Sequence, residues 1–159
     1  MKNNNLKIIL IAGFFFLSGC GFKVLDRAQL KNFQIQEITT KGDTKINFLI
    51  KNNLMNNFSK LQANKSIILD IKSSKEKTIK EKNIKNQITK YKITLLTEVK
   101  IDFIGAGLNK KFNIYTDGSY EIAASHAATI SNQNNLEKVI AKKTSEKIIN
   151  ELILLINDL

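Results

Sequence analysis

The chain has 159 residues, 43% of them hydrophobic, with one cysteine, one histidine, no proline and a formal net charge of +11. This length bounds it to about one domain with a real core, and the lone cysteine excludes an intramolecular disulfide. A single histidine argues against a Cys/His metal site, and the basic surplus favours anionic partners.

The first seven residues carry Lys2 and Lys7 and no acid. Ile8 to Leu17 is an apolar run interrupted only by Gly13, and it includes Phe14, Phe15 and Phe16. At about ten residues it matches the apolar part of an export signal and falls well short of the ~20 needed to span a bilayer. Leu17-Ser18-Gly19-Cys20 follows at once, a Leu and two small residues before a thiol. This series resembles the lipobox of bacterial lipoproteins. The resemblance implies cleavage between Gly19 and Cys20 and a lipid anchor on the Cys20 thiol, attaching the protein to a membrane without spanning it. Residues 1–19 are then a signal peptide, 20–31 a lipidated tether and 32–159 a single domain. Removing Lys2 and Lys7 with the leader leaves +9 on the mature side chains. Export argues against nucleic acid as a partner and leaves lipid headgroups or lipopolysaccharide phosphates. The joint excess of Lys, Asn and Ile is also the usage of AT-rich genomes, which accounts for the charge equally well.

In the mature chain, Gly21 to Lys31 has few periodic apolar residues. Phe33-Gln34-Ile35-Gln36 alternates and, with Glu37 and Ile38, predicts a first strand. After Gly42, Asp43 or Thr44 can cap a helix predicted over about 44–59, in which Ile46, Ile50, Leu54 and Phe58 recur every four residues beside Leu49 and Leu61. Ser66 to Lys72 predicts a short strand, Ile67, Leu69 and Ile71 on one face and Ile68 opposite. It ends in a dense Lys/Ser/Glu stretch, Lys72 to Lys85. The clearest strand runs from Tyr91 to Phe103, where Tyr91, Ile93, Leu95, Val99, Ile101 and Phe103 alternate with Lys92, Thr94, Glu98, Lys100 and Asp102, and Thr97 keeps the register. Such a strand is half-buried, in an antiparallel sheet covered on one side. Gly105-Ala106-Gly107-Leu108-Asn109 predicts a turn, Lys110 to Thr116 the returning strand, and Asp117-Gly118 a tight turn. Tyr120 to Ile130 is Ala-rich and ambiguous. Beyond Asn134-Asn135, read as a cap, Leu136, Val139, Ile140, Ile148, Leu152, Leu155 and Ile156 mark a second amphipathic helix. The fold expected is α+β, two helices packed on one face of a four-stranded, mostly antiparallel sheet.

Gly19-Cys20-Gly21 followed by Phe22 resembles the mature start of the lipopolysaccharide-assembly lipoprotein family, LptE. The likeness extends to the element order, to Tyr91-Lys92-Ile93-Thr94-Leu95 in the position of a Tyr-led strand, and to Tyr120–Ile130 running into the closing helix. The chain departs from relatives in lacking their prolines and in carrying Lys where they carry Arg. The resemblance implies an outer-membrane lipoprotein facing the periplasm that plugs the large β-barrel LptD, assists its assembly and helps deliver lipopolysaccharide to the surface. Gly21, in place of the Asp that retains many lipoproteins at the inner membrane, agrees with the outer one.

No motif for catalysis, a cofactor or a metal is present. His126 stands alone, Gly105-Ala106-Gly107 lacks the rest of a phosphate loop, and there is neither a Gly-x-Ser-x-Gly elbow nor an HExxH. Asp70, Asp102 and Asp117 could pair as carboxylates, yet Asp102 and Asp117 belong to wet strand-face or turn positions. The sequence therefore predicts no enzyme. The candidate site is the basic run Lys75, Lys77, Lys80, Lys82, Lys85 and Lys90, offset only by Glu76 and Glu81, with Lys80, Lys82 and Lys85 as the expected lipopolysaccharide contact. The alternative function is a periplasm-facing lipoprotein that binds a lipid or saccharide as an auxiliary subunit of an envelope transport system.

Overall fold

The structure, a computed structural model, describes residue 30, residues 32–58 and residues 63–157. Its elements are β1 (Phe33–Gly42), α1 (Thr44–Met55), β2 (Lys65–Lys82), β3 (Ile88–Phe103), β4 (Leu108–Glu121) and α2 (His126–Asn157). The sheet order is β1-β2-β3-β4. β1 pairs parallel to β2, and β2, β3 and β4 form an antiparallel meander. A parallel pair needs a crossover, and α1 supplies it. Both helices lie over one sheet face, so the expected α+β arrangement is the one observed.

Alternation decides which face is buried. Ile93, Leu95, Thr97, Val99, Ile101 and Phe103 of β3 point inward, beside Ile67, Leu69 and Ile71 of β2. Ile46, Ile50 and Leu54 of α1 and Ile140, Ile148 and Leu152 of α2 close over them, all fully buried. Each such aliphatic side chain contributes about 1.5–3 kcal/mol when taken from water. Leu30, at the end of the stretch read as tether, is also buried in this core.

Two glycines are fixed by close approach. Gly42 has a φ of +106°, and a Cβ there would stand 1.8 Å from the Ser73 carbonyl oxygen. The chain thus turns tightly off β1 into Asp43, whose Oδ1 accepts the Ile46 N–H at 2.9 Å and caps α1. Gly118 lies under α2, where a Cβ would meet Leu136 Cδ1 at 2.6 Å. The outer strands are guarded by helix lysines: Lys51 Nζ donates to the Ile38 carbonyl at 3.4 Å and Lys147 Nζ to that of Tyr115 at 2.7 Å. Charge held against an edge carbonyl discourages pairing with another chain.

Several boundaries differ from expectation: β3 begins at Ile88 and β4 at Leu108, each a few residues early. α1 stops at Met55, although Phe58 still packs into the core. β2 does not end at Lys72 but continues to Lys82, opposite β3. Asp117-Gly118 makes no turn; β4 passes straight through it to Glu121. α2 starts at His126, not after Asn134-Asn135: the Ser125 hydroxyl accepts the Ala128 N–H at 3.1 Å, and Asn134 sits inside the helix holding Lys45 Nζ at 2.6 Å.

Candidate functional site

The basic run divides into two sets according to what each lysine meets. Lys75, pointing inward from β2, lies 2.6 Å from Asp43 and 3.0 Å from Glu137. Lys77 stands 4.1 Å from the Tyr91 ring centre, above a stacked Tyr91–Tyr120 pair, and donates to Gln133 Oε1 at 3.4 Å. Lys90 pairs with Glu81 at 3.1 Å and Glu121 at 3.7 Å. These three are engaged by other side chains of the fold, which the sequence grouping of all six lysines did not separate. Lys80, Lys82 and Lys85 are exposed, and none has an acidic partner among the described residues. Lys80 and Lys82 contact only the neutral oxygens of Ser119 and Asn86, at 3.1 and 3.0 Å.

The turn presenting them is built from asparagine. Asn83 Oδ1 accepts the N–H groups of Lys85 and Gln87, both at 3.0 Å, and the Asn83 N–H donates to the Gln87 carbonyl at 2.9 Å. Asn86 takes the left-handed conformation, φ 61°, that closes such a hairpin. Ile84 and Lys85 therefore sit at an ordered apex. Between this tip and the Ile67–Phe103 pair at the other end of the β2–β3 ladder, the strands run about 50 Å at ~3.3 Å per residue.

Beneath the lysines lies a polar knot that sequence reasoning missed. The Glu137 side chain is 1% exposed, yet it meets Lys75 at 3.0 Å through Oε1 and Lys45 at 2.6 Å through Oε2, the second contact poorly angled for a hydrogen bond. Gln133 Nε2 donates to it at 3.3 Å. Burial pushes the Glu137 carboxyl up, but Lys45, Lys75 and Gln133 together hold it below the ordinary carboxylate range. Asp43 is likewise low, burial being outweighed by Lys75 and the Ile46 N–H. Lys75 is held above its usual range by Asp43 and Glu137, against the effect of burial. In the adjoining layer the Ser73 hydroxyl donates to Asn47 Oδ1 at 2.7 Å. The start of α1, the middle of β2 and the first half of α2 are thus joined by charge. The available signal was Glu137 itself, an acid directly beside the apolar stripe Leu136, Val139 and Ile140.

The uncovered sheet face is polar and charge-balanced. Lys92 pairs with Asp117 at 3.0 Å and Lys111 with Glu98 at 2.7 Å, around the exposed cross-strand pair Leu96 and Tyr115. Asp70 and Asp102 share a shallow depression of about 250 Å³ with Lys100, Lys110 and Lys111, while Asp117 lies elsewhere on Lys92, so the three acids do not come together. His126 is exposed at the start of α2. No group of three or more His, Cys, Asp or Glu suited to a metal occurs among the described residues. Leu17, Ser18, Gly19 and Cys20 lie outside the described residues.

The fold on which these residues are set is a four-stranded sheet with two helices on one face. Among solved structures, this chain is similar to rare lipoprotein B from Shewanella oneidensis, with a TM-score of 0.55, 16% identity, and 74% of this chain and 93% of that one covered. It is also similar to a protein described as a lipoprotein from Caulobacter crescentus, with a TM-score of 0.57, 12% identity and coverage of 83% and 95%. A third is lipoprotein B from Nitrosomonas europaea, with a TM-score of 0.53, 13% identity and coverage of 86% and 92%. The chain therefore has the fold of solved bacterial lipoproteins. Neither a protein-family model nor a curated protein sequence matches it.

Proposed function

We propose that this protein is an outer-membrane lipoprotein, anchored through Cys20 on the periplasmic side, that plugs and helps assemble the LptD barrel and assists lipopolysaccharide delivery to the cell surface. The observation that carries this reading is the series Leu17-Ser18-Gly19-Cys20-Gly21 joined to a domain with the fold of solved lipoproteins. The sequence resemblance to the LptE family supplies the partner. A slim body of one sheet under one helix layer suits the lumen of a large outer-membrane barrel, and such lumens can be plugged. Barrel interiors are polar, and the open sheet face, with its alternating charges, is polar in kind. The protein acts by binding, with no reaction of its own. Lys80, Lys82 and Lys85 meet lipopolysaccharide phosphates as flexible point charges that need no fixed geometry. The test is purification of the tagged native protein from detergent-solubilised membranes. A stoichiometric large β-barrel in the eluate supports the plug. A lipid- or saccharide-induced shift without such a barrel supports instead an auxiliary subunit of an envelope transport system.

A further inference from the structure

The helix–sheet core runs out before the tip does. Its last closed layer is the stacked Tyr91–Tyr120 pair with Lys77 above it. Beyond that layer stand Ile79, 50% exposed and paired with Tyr91, and Ile122, 38% exposed, whose N–H donates to the Thr89 carbonyl at 2.9 Å. Ile130, one helical turn before the Gln133 that accepts the Tyr120 hydroxyl, is 42% exposed, and Ile84 at the apex is fully exposed. Four isoleucines at one end of a small domain are more than scattered surface apolar residues. The acids at this end, Glu81 and Glu121, are both engaged by Lys90, and with Lys80, Lys82 and Lys85 four lysines face two acids, a net positive end. The asparagine-built turn fixes Ile84 between Lys82 and Lys85 in advance, so little ordering is lost when the apex meets a surface. Apolar side chains ringed by lysines match an anionic bilayer, whose phosphates lie above its hydrocarbon. The described chain begins at the other end of the β2–β3 ladder, about 50 Å away at the strand rise, since Phe33 pairs with Lys65.

We propose that the β2–β3 tip is a second membrane contact, at the opposite end of the β2–β3 ladder from Phe33, in which Ile84 with Ile79, Ile122 and Ile130 enters an anionic bilayer surface while Lys80, Lys82 and Lys85 meet its phosphates. That this contact is a second one rests on the proposed lipidation of Cys20, and it extends the lysine site from phosphate recognition to bilayer insertion.

The test is capture in trans. Full-length protein purified from membranes is reconstituted into neutral phosphatidylcholine vesicles, and its capture of a second, phosphatidylglycerol-containing population is followed by energy transfer between labelled lipids. Each near-surface lysine contributes roughly fivefold to partitioning, so changing Lys80, Lys82 and Lys85 to Gln should reduce capture on the order of a hundredfold and abolish its salt sensitivity. Ile84→Asp, at a position that touches no core, should reduce it at least about tenfold. Changing Lys138, Lys142 and Lys143 of α2 to Gln removes equal charge elsewhere and should leave capture within about threefold. Absence of wild-type capture, indifference to both tip variants, equal loss in the α2 variant, or capture only of vesicles bearing lipopolysaccharide would each overturn the proposal. Flotation with the neutral vesicles and co-purification of the barrel are read separately. A protein that floats and holds its barrel but captures nothing refutes the tip alone. A protein that does not float refutes the lipid anchor, and the same variants are then compared on the free protein with the anionic vesicles.

Discussion

Replacing Glu137 with Gln keeps the side chain's shape and removes its charge from the site where both helices meet β2. The wild-type carboxylate is 1% exposed and lies within 3.0 Å of two ammonium groups. Removing one member of a buried pair typically costs about 3–5 kcal/mol, because the remaining charge stays desolvated. Here the remaining charges are not stranded: Lys45 is half-exposed, and Lys75 keeps Asp43 at 2.6 Å. The expected loss is therefore smaller, about 1–3 kcal/mol, in the range of a charge-assisted hydrogen bond. Urea unfolding at neutral pH should show a lower midpoint with an unchanged slope. The pH dependence gives an independent check. Asp43 and Glu137 are held below their ordinary values of 3.8 and 4.5, so the folded state binds fewer protons than the unfolded chain there. Their contribution is complete above about pH 5 and is lost as the pH falls through the folded values. Lys75 is held above 10.5, so its contribution is complete below that pH and is lost as the pH rises through the raised value. In Glu137→Gln the acid limb should be shallower than in the wild type. A variant within about 0.5 kcal/mol of wild type at neutral pH, with an unchanged acid limb, would refute the idea that this knot joins the layers.

Three further outcomes are expected. Ile93→Ala or Leu152→Ala, at fully buried positions, should each cost about 2–5 kcal/mol, while Lys92→Ala and Asp102→Ala on the open face should stay within about 0.5 kcal/mol; denaturant midpoints in the reverse order would contradict the face assignment. Thr97 is fully buried in β3, and its hydroxyl has no hydrogen-bond partner among the described residues, so Thr97→Val should be neutral or stabilising by up to about 1 kcal/mol in thermal unfolding, and clear destabilisation would reveal a partner for that hydroxyl. Mass spectrometry of the membrane-extracted protein should find an acylated Cys20 as the first residue, and an unmodified mature chain beginning elsewhere would exclude the lipoprotein reading.

The elements with clean periodicity were legible in the sequence because a single face of each is apolar. β3 and α1 were placed within a few residues, and their inward sides follow directly from Ile93 to Phe103 and from Ile46 to Leu54. The continuation of β2 was hidden because its inward residues after Ser73 are Lys75 and Lys77, which are satisfied by Glu137, Asp43 and two tyrosine rings and so resemble a solvated run. Asp117-Gly118 carries the composition of a turn, yet Gly118 is there because α2 comes too close for a side chain. The first turns of α2 carry Ala127, Ala128 and Ser131 in place of an apolar stripe, and they are fastened by Thr129, whose Oγ1 accepts the Ala123 N–H at 3.0 Å. For the candidate site, the sequence placed Lys80, Lys82 and Lys85 together but could not separate them from the lysines already engaged within the fold, since those partners lie up to 62 residues away along the chain.

The proposed function has this domain work against an outer-membrane barrel through its open sheet face. Leu96 and Tyr115 lie side by side on that face, both half-exposed. A photo-crosslinking residue placed at either position in living cells should give an adduct containing a large outer-membrane β-barrel identified by peptide mass. A membrane-localised protein that cross-links to no such barrel from either position would contradict the proposed barrel contact.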